Sequence, residues 1–196
     1  PKRGNMEQYL ARFTRQGRFS RLFEREALAR GELVLHPLTL EYLSGGTIAD
    51  RQGMTVFDGA VRRPDGPLIV QGDAARRLDR MMEEQLPCVL CLSGGAGSGK
   101  RFQIEHLLAR QKKRGIFADL EGEGWRERAG QAALAACLLD AYLWFYHLDR
   151  ENEAGDRIAA PQQMVDVLCG METGKDRLFL LSRLPVRARV QQLTVD

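Results

Sequence analysis

Ser93-Gly94-Gly95-Ala96-Gly97-Ser98-Gly99-Lys100-Arg101 follows the apolar run Val89-Leu90-Cys91-Leu92 and leads into a helical pattern from Phe102 to Gln111. An apolar strand that passes through glycines into a helix aims backbone N–H groups, and the positive end of the helix dipole, at any anion in front of it. Glycine suits such a loop because side chains would hold the backbone away from the anion, and because parts of the turn take positive φ. Gly94, Gly99 and Lys100 have the spacing G-x-x-x-x-G-K of a phosphate-binding loop. Gly94, Gly95, Ala96, Gly97, Ser98 and Gly99 are therefore expected to form the cradle, with Lys100 as a mobile cation reaching the β- and γ-phosphates of ATP, or the β-phosphate of ADP. The next position, where Ser or Thr would hold Mg²⁺, is Arg101. A guanidinium has donors only; it cannot coordinate the metal, but it can pair with a phosphate oxygen and in part stand in for the metal's charge. Two cations at the start of a helix are each disfavoured by about 0.3–1 kcal/mol, a penalty that a bound anion removes.

Around the loop the pattern alternates between helix and strand. Ala74, Leu78, Met81 and Met82 mark one face of a helix from Asp73 to Gln85, which leads into a strand over Pro87 to Leu92. After the loop, Ile104, Leu107 and Leu108 give the next helix its apolar side, and Gly115 to Leu120 reads as a second strand. An alanine-rich helix over Arg126 to Asp140 precedes a third run, Tyr142 to Leu148; Met164, Val165, Leu168 and Cys169 mark a further helix; Leu178 to Ser182 and Val190 to Val195 read as strands four and five. Near-continuous apolar strands separated by helices belong to a parallel sheet covered on both faces. The expected fold is thus α/β, a parallel five-stranded sheet with flanking helices over residues 72–196, with ligands at the carboxyl ends of the strands.

The preceding sequence is different in character. Met6, Tyr9, Leu10 and Phe13, then Phe19, Leu22, Phe23 and Ala27, predict two amphipathic helices, and Leu38 to Leu43 a third. Residues 1–46 are expected to form a small, mostly helical N-terminal domain. Residues 47–71, punctuated by Gly53, Gly59, Pro64 and Gly66, are expected to be a connecting segment on the surface of the next domain. The N-terminal arginines lie between the apolar positions, as on a solvated helix face; a nucleic-acid contact is the sharper alternative, without a zinc-finger or other recognition motif behind it.

The chain has 196 residues and a formal net charge of +3. No apolar run approaches the roughly 20 residues of a membrane helix, and Pro1 to Asn5 lacks a signal-peptide core, so a cytoplasmic protein with no membrane partner is expected. Cys88 and Cys91 form C-x-x-C, but residues three apart on a strand point to opposite faces, so ordinary buried thiols are expected there and at Cys137 and Cys169.

Hydrolysis of a bound nucleotide would also need an acid at the end of a later strand. At the end of the third run that place holds Tyr146 or His147, with Asp149 just beyond as the candidate catalytic acid and His147 as a candidate proton acceptor. Asp119, Glu121 and Glu123 cluster after the second strand, on the same edge, and could position a metal or a partner's arginine.

The helix over Asp73 to Gln85, the loop Gly94 to Lys100, the strand ending near Leu148-Asp149 and the strand ending in Ser182 together resemble the AAA+ ATPases. Bacterial members with a helical N-terminal domain are the most similar in character. The resemblance covers roughly residues 72–196. It implies a Walker A role for Gly94, Gly99 and Lys100, a sensor-1 role for Ser182, ATPase activity if the site is complete, and self-association in rings. Arg101, the displaced Walker B acids and the end of the chain after the fifth strand depart from the family pattern. The last of these implies truncation before the helical lid and the arginine finger. The resulting expectation is an AAA+-like module that binds ATP or ADP. The alternatives are a P-loop scaffold for protein interaction, a nucleic-acid-binding protein using the basic N-terminal helices, and a small-molecule kinase.

Overall fold

The computed structural model describes residues 22–24, 30, 32, 34–48, 50, 53–67, 73–83, 88–151, 154–171, 177–186 and 190–194. The two helices expected at 6–13 and 19–27 lie largely outside the described residues. The chain divides into two compact units, Pro1–Ile48 and Ala49–Asp196. In the first, Phe23 and Leu35 form an antiparallel bridge, and helix α1 (Pro37–Leu43) begins where Pro37 fixes φ and His36 Nδ1 accepts the Leu38 N–H at 3.2 Å. That hydrogen bond needs an unprotonated nitrogen, in keeping with burial pushing the His36 pKa down.

The second unit is an α/β layer structure. Its elements are β1 (Met54–Asp58), α2 (Asp73–Glu83), β2 (Cys88–Ser93), α3 (Lys100–Gln111), β3 (Arg114–Asp119), α4 (Trp125–Leu139), β4 (Tyr142–Tyr146), β5 (Arg150–Glu151), β6 (Arg157–Ile158), α5 (Gln162–Cys169), β7 (Arg177–Ser182) and β8 (Gln191–Thr194). The main sheet has six strands in the order β1-β3-β4-β7-β2-β8, and β5 pairs with β6 in a separate hairpin. Five strands are parallel, as expected, and four of them, β2, β3, β4 and β7, are apolar runs. The sixth, β1, runs antiparallel on the edge beside β3, with Met54 opposite Ala118 and Asp58 opposite Arg114. The stretch expected to be only a connector therefore supplies a strand. The chain leaves β1 through Gly59, where a Cβ would stand 2.2 Å from the Leu108 carbonyl oxygen and 2.6 Å from that of Lys113. Only glycine fits that crossing.

Strand alternation divides the core. Leu90, Leu92, Phe117, Trp144, Phe179 and Leu181 cluster on one side with Leu78 and Met82 of α2 and Ile104, Leu107 and Leu108 of α3. Trp144 and Phe179 stack with centroids 4.0 Å apart, and Phe117 continues the stack. Cys91, Ile116, Ala118, Leu143, Phe145, Leu178 and Leu180, at the alternate strand positions, are buried too. The alanines of α4, among them Ala129, Ala132, Ala133 and Ala136, are wholly buried, and α4 packs on β3 and β4. Cys91 is buried, as expected, while Cys137 and Cys169 are half-buried. Among the described residues no helix is long and apolar enough to cross a membrane.

The register aligns the carboxyl ends of the strands. Ser93 of β2 lies opposite Ser182 of β7 and Thr194 of β8, and Asp119 of β3 opposite Tyr146 of β4. The glycine loop leaves β2 from this edge.

Candidate functional site

The loop joins Ser93 to the first residue of α3, Lys100. Gly99 caps the helix at φ +73° and Gly97 turns the chain at φ +80°, conformations that L side chains resist. At Gly95, Gly97 and Gly99 a Cβ would meet no protein atom within 4 Å, so these glycines face open space. No side chain caps α3, and no acid lies in its first turn. Its positive end is therefore uncompensated, and Lys100 and Arg101 add to the charge.

Lys100 folds back over the loop. Its Nζ donates to the carbonyls of Gly94 at 2.6 Å and Gly95 at 2.9 Å, and to Ser98 Oγ at 3.1 Å. Burial lowers its pKa; Asp149 opposes that change and Arg183 adds to it. The Arg101 Nε donates to Glu105 Oε1 at 2.8 Å, one turn along α3. Its Cζ lies 4.7 Å from the Phe117 ring centroid and 6.0 Å from that of Tyr146, within cation–π range.

Ala96 to Arg101 line an open cleft of about 510 Å³ together with Tyr146, His147, Asp149, Ser182 and Arg183. A volume of that order accommodates a small organic ligand. Gly94 and Gly95 are not among the cleft's lining residues; their carbonyls hold the lysine.

Asp149 is only 7% exposed, and its carboxylate is fully engaged. Oδ1 accepts from Ser182 Oγ at 2.8 Å and from the Leu184 N–H at 3.3 Å, while Oδ2 accepts from the Arg183 N–H at 2.8 Å. The candidate acid and Ser182 thus meet, and together they brace the turn leaving β7.

His147 follows β4 in the left-handed region, at φ +56°. Its Nδ1 lies 3.0 Å from Asp119 Oδ1 and 3.8 Å from Glu121 Oε2. Asp119, Glu121 and His147 bring their ligand atoms within 4.8 Å of one another, a set of nitrogen and oxygen donors compatible with a divalent ion. The direct hydrogen bond between His147 and Asp119 already accounts for their proximity. Glu123, grouped with these acids in the sequence, instead gives its carbonyl to Arg128 Nη1 at 2.7 Å. The Arg128 guanidinium also holds the carbonyls of Asp119 and Glu121, which fixes the loop after β3.

Arg183 and Glu105 were not foreseen as cleft residues. A cation directly after a strand end was the available signal for Arg183, and the i, i+4 spacing from Arg101 was the signal for Glu105. Lys100, Arg101 and Arg183 thus border the cleft together with the engaged carboxylates of Glu105 and Asp149.

The fold and the site define an α/β protein with a mainly parallel, mixed sheet, whose glycine loop opens a cation-bordered cleft at the carboxyl edge of the parallel strands. No family model matches the chain, and no curated protein matches it. Among solved structures it is similar to a chain of the S. cerevisiae Hsp104:casein complex in its extended conformation, with 16% identity and a TM-score of 0.48 over 74% of this chain and 30% of that one. It is also similar to a chain of the E. coli MS115-1 HORMA:CdnC:Trip13 complex, with 13% identity and a TM-score of 0.40 over 66% of this chain and 61% of that one. The chain thus spans less than two thirds of either.

Proposed function

We propose that the chain is an AAA+-like nucleotide-binding module that holds the phosphates of ATP or ADP against the loop Gly94 to Arg101 and turns the nucleotide over slowly or not at all. The observation that carries this reading is the open face of the loop. Gly95, Gly97 and Gly99 have no protein atom within 4 Å of an added Cβ, and they stand before an uncapped helix end that carries two cations. Backbone that close to open space is what a phosphate needs in order to approach N–H groups. Lys100 is held by loop oxygens that an anion would outcompete, because a charge-assisted bond to phosphate is stronger than one to a carbonyl.

Slow turnover follows from the acids. A general base must reach the attacking water, yet both oxygens of Asp149 are occupied by Ser182, Arg183 and Leu184. We assign Asp149 to positioning that turn and Ser182 to holding Asp149. The test is thermal unfolding in millimolar ATP or ADP. A ligand at 100 times its Kd adds about 2.7 kcal/mol, or roughly 5–10 °C in Tm for a chain of this size. An unchanged Tm with both nucleotides overturns the proposal in favour of a non-binding scaffold.

A further inference from the structure

Nucleotide sites of this loop type engage Mg²⁺ through the hydroxyl after the loop lysine and an acid at the end of a later strand. The donors here do not fit that ion. Arg101 stands in the hydroxyl's place and has no lone pair to offer. At the end of β4 stands Tyr146, whose phenol burial keeps in its neutral form. The carboxylates bordering the cleft are Glu105 and Asp149, and both are engaged: Glu105 by the Arg101 Nε at 2.8 Å, Asp149 by Ser182, Arg183 and Leu184. Asp119 and Glu121 do not line the cleft; His147 beside them does, but Mg²⁺ takes oxygen ligands rather than imidazole, and the His147 Nδ1 is engaged by Asp119.

We infer that the cleft takes the phosphates of its nucleotide without Mg²⁺, with the Arg101 guanidinium in the place of the metal. This rests on the nucleotide-binding reading and adds its ionic requirement. The two substitutions work as a pair. A metal site would set a hydroxyl beside an acid; here a cation lies over the faces of Phe117 and Tyr146 and gives its Nε to Glu105, a contact that a doubly charged phosphate group would share or displace. The Arg101 side chain is 41% exposed, so the guanidinium is accessible from the cleft that it lines. With Lys100 and Arg183 also there, a divalent cation would enter a field already positive, whereas the uncomplexed nucleotide, carrying more negative charge than its Mg²⁺ complex, is favoured.

The experiment is calorimetric titration of the full chain with ATP and with ADP, in excess EDTA and in excess Mg²⁺. The expected Kd in EDTA is no more than about threefold weaker than in Mg²⁺, and Arg101→Ser loses about 10- to 100-fold in EDTA, the value of one hydrogen bond to a charged group. Binding that Mg²⁺ tightens by more than about threefold overturns the inference and leaves nucleotide binding standing. No binding in either buffer overturns the reading beneath it. The wild-type comparison decides the question even if Arg101→Ser fails to fold.

Discussion

Replacing Asp149 with asparagine changes one oxygen to an amide and leaves the shape nearly intact. The wild-type carboxylate accepts from Ser182 Oγ, Arg183 N and Leu184 N, using both oxygens. An asparagine keeps one acceptor oxygen. If that oxygen stays toward Ser182 and Leu184, the amide NH₂ faces the Arg183 N–H; if it turns, the NH₂ faces the Leu184 N–H. Ser182 can rotate its hydroxyl to accept, but neither backbone donor can. One main-chain N–H therefore loses its charged partner and meets another donor at a site only 7% exposed. Hydrogen bonds to charged groups contribute about 1.5–3 kcal/mol each, so Asp149→Asn is expected to cost about 2–3 kcal/mol. That is a large share of a total stability of about 5–15 kcal/mol. Urea unfolding followed by circular dichroism measures it as a lower midpoint at unchanged slope. A variant within about 0.5 kcal/mol of wild type would refute the positioning role and return Asp149 to the list of candidate bases.

Further outcomes follow for Gly59, Cys91 and Lys100. Gly59→Ala drives a Cβ to 2.2 Å from the Leu108 carbonyl oxygen, so it is expected to cost about 3 kcal/mol and to loosen β1; hydrogen exchange at Thr55 to Asp58 indistinguishable from wild type would argue against that crossing. Burial pushes the Cys91 thiol up to about 11, so the native protein should not be alkylated there at pH 8. Because the unfolded thiol titrates near 9, stability attributable to Cys91 is intact below pH 9 and is lost as pH rises toward 11, and a Cys91→Ala variant should lack that loss. Burial lowers the Lys100 pKa from 10.5, so nucleotide affinity should weaken with rising pH earlier than an ordinary lysine would allow; an affinity flat up to pH 10.5 would contradict the role given to its charge.

The four parallel strands β2, β3, β4 and β7 were legible as apolar runs, because a strand buried on both faces has few polar positions to confuse the pattern, whereas β8, Gln191-Gln192-Leu193-Thr194 on the edge, gives a weaker signal. The glycine loop was legible because its chemistry is local: spacing, dipole and cation all fall within nine residues. β1 was not legible, since Thr55-Val56-Phe57 lies between Gly53 and Gly59 and its stabilising partner, β3, comes some 60 residues later. The hairpin of β5 and β6, two residues each, is too short to give a period. The commitment of Asp149 to the end of β7 depends on a neighbour 33 residues away, and the pairing of His147 with Asp119 on one 28 residues away. Both follow from β4 lying between β3 and β7, an order that no stretch of sequence states.

The central claim is that Lys100 and the loop before it hold a nucleotide's phosphates. Equilibrium titration of a fluorescent ATP analogue against the wild type and Lys100→Ala tests it most directly. Saturable binding by the wild type, weakened about 10- to 100-fold in the variant, is the result expected from the loss of one charged contact. Equal binding by the two, or none by the wild type, would contradict it.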